Sequence, residues 1–135
     1  MNINNYFVFV LGFFCFTNAQ AQSEWTNVAT SKDGTKWAIQ NGSFEFSKTK
    51  AGIPIAAVVG RISDPNRNSV SLNKWYVSAE DCSKRMGKVV TTNVSGEYRF
   101  ESDFVIGSGN IASAMAEAIC NVADYIIKQN NDKSM

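Results

Sequence analysis

Asn110 to Gln129, NIASAMAEAICNVADYIIKQ, is the stretch on which the fold turns. Wound at about 100° per residue, it gathers Ile111, Met115, Ala118, Ile119, Val122, Tyr125 and Ile126 on one stripe and leaves Cys120 about 150° from the centre of that stripe. A helix whose cysteine sits off its bulky apolar face needs a second neighbour. Ala112, Ala116 and Ala123 supply the surface for one, a flank of small residues that lets another backbone come close and leads to Cys120 and Ile127 at its edge. The expectation is a terminal helix that rests its bulky stripe on a sheet while a segment from the sheet's rim reaches Cys120. Ser113, Glu117, Asn121, Asp124 and Lys128 form the arc assigned to solvent, Asn110 is placed to cap the helix, and residues 130–135 read as a flexible tail.

Upstream, the apolar spacing changes to alternation, the signature of half-buried strands. Trp25 anchors a first strand in EWTNVATS (24–31), and Asp33-Gly34 and Asn41-Gly42 offer turns around TKWAIQ (35–40). SFEFSKT (43–49) sets Phe44 and Phe46 against Glu45 and Ser47. IPIAAVVGRIS (53–63) is a continuous apolar run, so both faces are expected to be covered, with Pro54 confined to its start or to an edge. DPNRN (64–68) is a loop, and SVSLNKWYVSAEDC (69–82) reads as one long strand with Leu72, Lys74 and Tyr76 on one face and Trp75, Val77 and Ala79 on the other. VVTTNVS (89–95) follows a tight basic turn, SKRMGK. In EYRFESDFVI (97–106), Tyr98, Phe100, Phe104 and Ile106 alternate with Glu97, Arg99, Glu101 and Asp103. Strands joined by short turns with no helix between them call for an antiparallel sheet. The fold class is therefore α+β, with about six strands in a meander and one C-terminal helix packed on it.

Residues 1–21, MNINNYFVFVLGFFCFTNAQA, carry an apolar run and then Ala19-Gln20-Ala21, which together read as a cleavable signal peptide that takes Cys15 with it. Residues 22–129 form a single domain, and the expected location is periplasmic or secreted, with no integral membrane segment after cleavage. Cys82 and Cys120 remain. An even count in an exported chain points to a Cys82–Cys120 disulfide, worth roughly 4 kcal/mol by loop closure; two free thiols are the alternative.

The chain has no histidine and a formal net charge of +1. Histidine-dependent nucleophilic catalysis and histidine-ligated metals are excluded, oxidised cysteines leave no thiolate ligands, and no basic excess calls for nucleic acid. Glu80 and Asp81 are adjacent and point apart on a strand, while Glu101 and Asp103 share a solvated face with Glu97 and Arg99. GSGN (107–110) lacks a phosphate-binding glycine pattern and reads as a helix cap. No enzyme and no cofactor are expected. The candidate binding residues are Lys84, Arg85 and Lys88, a cationic turn beside the expected disulfide and suited to an acidic protein.

An exported domain that opens on a Trp strand, carries Asp81-Cys82 at a strand end and closes with IASAMAEAIC (111–120) resembles the surface-adhesin protein E family of Gram-negative bacteria. The likeness runs from about Trp25 to Ile127. It implies a curved antiparallel sheet with the C-terminal helix in its concavity, and a non-catalytic, adhesin-like role in binding host matrix or serum proteins or an envelope protein. That family is held at the surface by a lipid anchor, and this chain has no lipobox. A second expectation, a periplasmic immunity or inhibitor protein that occludes a toxin or a lysozyme-type enzyme, finds a near match in SGEY (95–98), one residue short of the Ser-Gly-x-x-Tyr signature of periplasmic lysozyme inhibitors.

Overall fold

The computed structural model describes residues 24–133; the signal peptide expected at 1–21 lies outside the described residues. Seven strands form one sheet: β1 (Trp25–Thr30), β2 (Lys36–Gln40), β3 (Glu45–Lys48), β4 (Pro54–Asp64), β5 (Ser69–Ser78), β6 (Met86–Thr92) and β7 (Tyr98–Val105). Every pairing is antiparallel, in the order β1-β2-β4-β5-β6-β7. β3 makes the seventh strand by pairing with the first half of β4, while β2 takes the second half. Pro54 stands at the first position of β4, where its missing N–H does not interrupt the ladder.

Two helices complete the described residues, α1 (Ala79–Lys84) and α2 (Ile111–Lys133). α1 replaces the end of the long strand expected over 69–82. Ser78 is the reason: its hydroxyl accepts the Asp81 N–H at 3.0 Å, and Glu80 and Asp81 then occupy the first turn, where negative charge favours a helix. Arg85 ends α1 in a left-handed conformation, φ 62°. β6 can start at once because Gly87 has no side chain: a Cβ there would overlap the Asp81 carboxyl, whose Oδ2 accepts the Lys88 backbone N–H at 3.2 Å.

α2 is capped by Asn110, whose Oδ1 accepts the Ser113 N–H at 2.7 Å, and it continues past Gln129 through Lys133. It touches both outer strands, β1 and β7, as well as β4, β5 and β6. The core between helix and sheet holds Val58, Trp75, Val77, Val89 and Phe104 against Met115, Ala116, Ile119, Cys120 and Ala123. The buried face of α2 is thus the small-residue flank together with Met115 and Ile119; Val122 and Tyr125, expected on the sheet, are exposed. Alanines at 116 and 123 bring the helix axis close to the sheet, and the reward is nearly complete burial of Trp75 and Ile119, of the order of 2 kcal/mol for each. Ser113 is likewise buried rather than solvated, and its Oγ accepts the Val105 N–H at 3.2 Å.

Cys82 and Cys120 are disulfide-bonded, with Cα atoms 5.4 Å apart across a sequence separation of 38. Cys82 arrives on α1 rather than on a strand. The bond therefore ties one helix to the other at the rim of the sheet.

A mature-chain mass two hydrogens short of the reduced value is expected without reductant, and Cys82→Ser/Cys120→Ser should lose about 4 kcal/mol in urea unfolding; two free thiols would contradict this. Gly60 offers a second test, because a Cβ there would overlap the six-membered ring of Trp75. Gly60→Ala should cost about 3 kcal/mol in the same assay, with loss of near-ultraviolet circular dichroism.

Candidate functional site

The strand register divides the sheet into an inner face under α2 and an outer face that no element covers among the described residues. Of the three tryptophans, Trp75 is fully buried and Trp37 packs at the core's edge, both on the inner face. Trp25 lies outside. It shares its face with Ala38 and Arg61 through the pairs Trp25–Gln40, Asn27–Ala38 and Ala38–Arg61. The Arg61 guanidinium stacks on the Trp25 ring, 4.5 Å from the centroid, and Leu72 stands directly opposite Arg61 on β5. Leu72 and its neighbour Val70 are 51% and 64% exposed. Among the described residues no carboxylate pairs with Arg61, and its Nε is buried without a hydrogen-bond partner. Among the described residues, stacking on Trp25 is what holds this cation, and its guanidinium is open to an incoming acceptor.

The three cations singled out from the sequence stand on different elements with different partners. Lys84 lies on α1 and pairs with Glu80 at 3.2 Å. Arg85 is exposed at the end of α1, its carbonyl receiving the Ile106 N–H at 3.0 Å. Lys88 points to the outer face, where its Nζ meets Asp103 at 2.6 Å and Glu101 at 3.4 Å. Hydrogen bonding and charge attraction from Asp103 chiefly, and from Glu101, raise the Lys88 pKa. Two of the three charges are therefore met by neighbouring acids.

Tyr98 also moves. A bulge in β7 sets Thr91 opposite Phe100 but Thr92 opposite Tyr98, so Arg99 is an extra residue and the alternation breaks there. Phe100 stays on the inner face while Tyr98 crosses to the outer one, where its hydroxyl donates to Glu101 Oε1 at 3.2 Å. Burial and the Glu101 charge hold its phenol above the usual range. The SGEY stretch thus forms the β6–β7 turn and the start of β7.

Two of the concavities along the sheet differ sharply in character. Beneath the first turns of α2, a cleft of about 280 Å³ is lined by Trp37, Trp75, Phe100 and Met115 with no charged side chain. On the outer face, a groove of about 330 Å³ brings Lys48, Lys50 and Lys74 together with Tyr76 and Tyr98. Among the described residues no three side chains of metal-ligating type cluster, and no helix is long and apolar enough to cross a membrane. No family model, no curated protein and no solved structure matches the chain.

Because the Lys88 pKa is raised above 10.5, its ion pairs contribute stability that is complete below that value and is lost as pH rises through the folded-state pKa. A nuclear magnetic resonance titration of Lys88 Nζ should give a midpoint above 10.5, and Asp103→Asn should bring it back towards that value.

Proposed function

We propose that this chain is an exported, non-catalytic protein-binding module of the cell envelope, adhesin-like as its resemblance to the surface-adhesin protein E family implies, and that its partner presents an acidic surface. The single observation that supports this reading is the Trp25–Arg61–Leu72 cluster on the outer face. Tryptophan and arginine dominate the energetics of protein interfaces, where an aromatic anchor beside an apolar rim excludes water around a charged contact. Arg61 is oriented before any partner arrives, so binding forfeits little of its side-chain entropy. A Cys82–Cys120 disulfide and the absence, among the described residues, of a membrane-crossing helix are compatible with export.

The assay is retention of proteins from envelope extract and from serum on the immobilised domain, followed by titration of the retained partner. Arg61→Ala should cost about 2 kcal/mol, close to thirtyfold in affinity, and Trp25→Ala a similar amount, with the melting temperature little changed. Lys84→Ser/Arg85→Ser/Lys88→Ser should weaken the same partner by less than about threefold, because two of those charges are already compensated. Equal retention by wild type and Arg61→Ala, or retention of nothing, would remove the proposal.

A further inference from the structure

The outer face holds a second feature, independent of Arg61. Glu45, Ala57 and Tyr76 stand in one cross-strand row over β3, β4 and β5, and Ser47, Ile55 and Ser78 form the next. Ala57 and Ile55 are buried and make a low floor. Glu45 and Tyr76 rise on either side of it, two strand spacings or about 9.6 Å apart. Thr92 and Tyr98 extend the far wall, since Lys74 pairs with Thr92 and Thr92 with Tyr98. Lys48, Thr49 and Lys50 form the near rim. The result is the groove of about 330 Å³, a trough across the pleated face.

Its chemistry is one-sided. Three lysines line it against one glutamate. Lys74 approaches Glu45 only to 4.0 Å, and among the described residues neither Lys48 nor Lys50 makes an ion pair. The available hydrogen-bonding groups are donors for the most part: the ammonium groups of Lys50 and Lys74 and the Ser47 and Tyr76 hydroxyls. The Tyr98 hydroxyl is already given to Glu101, so that residue offers its ring, and it is 61% exposed. β4 is paired on both sides, so its backbone has nothing to give an extended peptide, which relies on main-chain bonds.

We infer that this trough binds an acidic saccharide, whose carboxylate or sulfate groups meet Lys50 and Lys74 while its ring carbons lie against Tyr76 and Tyr98. An occupant rich in acceptors and carrying negative charge complements the donors, and the floor over Ala57 gives a ring of pyranose width a seat.

Calorimetric titration of the purified protein at low ionic strength tests this with a heparin-derived hexasaccharide, with uncharged maltohexaose and hexaglutamate as controls. Saturable binding of the hexasaccharide is expected, with at least about tenfold weakening in Lys50→Ser/Lys74→Ser and on raising salt to 0.3 M, because exposed charge attraction is screened. Tyr98→Ala, which leaves every charge in place, should weaken binding about fivefold without lowering the melting temperature. Arg61→Ala should bind the saccharide as wild type does, which separates this site from the protein-docking cluster. No saturable binding, hexaglutamate bound as tightly as the hexasaccharide, or undiminished affinity in Tyr98→Ala would each overturn the inference.

Discussion

The indole of Trp75 occupies the space that a side chain at residue 60 would fill, and the inner layer is arranged around that overlap. Because Gly60 is bare, Trp75 lies across β4 and presents a flat, fully buried surface at the middle of the sheet. A flat platform favours a flat partner. Helix α2 meets it with Ala112, Met115, Ala116 and Ile119 instead of its larger residues, and the close approach leaves Val122 and Tyr125 beyond the margin of contact. Cys120 then lies within reach of α1, and the disulfide closes an arrangement that packing has already set.

Once the inner face is filled, the outer face is free to be chemically specific. Its charges sort along the strands. Near β7 the acids of Glu101 and Asp103 hold Lys88, and the local charge is met. Towards β1 and β3 the cations are left over: Arg61 is stacked on an aromatic ring with no counter-ion among the described residues, and Lys48 and Lys50 rim a trough. A surface of this kind attracts anionic partners over a distance and fixes their orientation by the few groups that are held in place.

The sheet was legible because period-two alternation survives in most strands, and the turns at Asp33-Gly34, Asn41-Gly42 and Ser95-Gly96 carry their own residue signal. The disulfide was legible from the two cysteines, Cys82 and Cys120, that follow the stretch read as a signal peptide in an exported chain. Other features were not. Ser78 starts a helix in a stretch whose β-branched and aromatic residues still read as strand, since a capping hydroxyl is one residue against many. The bulge at Arg99 turns Tyr98 to the other face, and a one-residue slip leaves the written pattern unchanged. The sheet-facing side of α2 is hidden in the sequence because bulk marks hydrophobicity while contact distance here favours smallness. Lys84 and Lys88 looked like a patch in sequence, yet they belong to a helix and to a strand face with different neighbours. Arg61 carries a signal of its own: one cation inside an otherwise apolar run has to be explained by something beside it.

The hydroxyl of Ser113 reaches from α2 to the backbone of β7 and takes up the amide of Val105, which points away from β6. Beyond it along the same strand stand Arg99, Glu101 and Asp103. A second molecule seeking to extend the sheet would find the terminal donor already engaged and a row of ionised side chains to desolvate. Growth into a filament through this margin is thereby opposed, and encounters are diverted to the broad pleated surface.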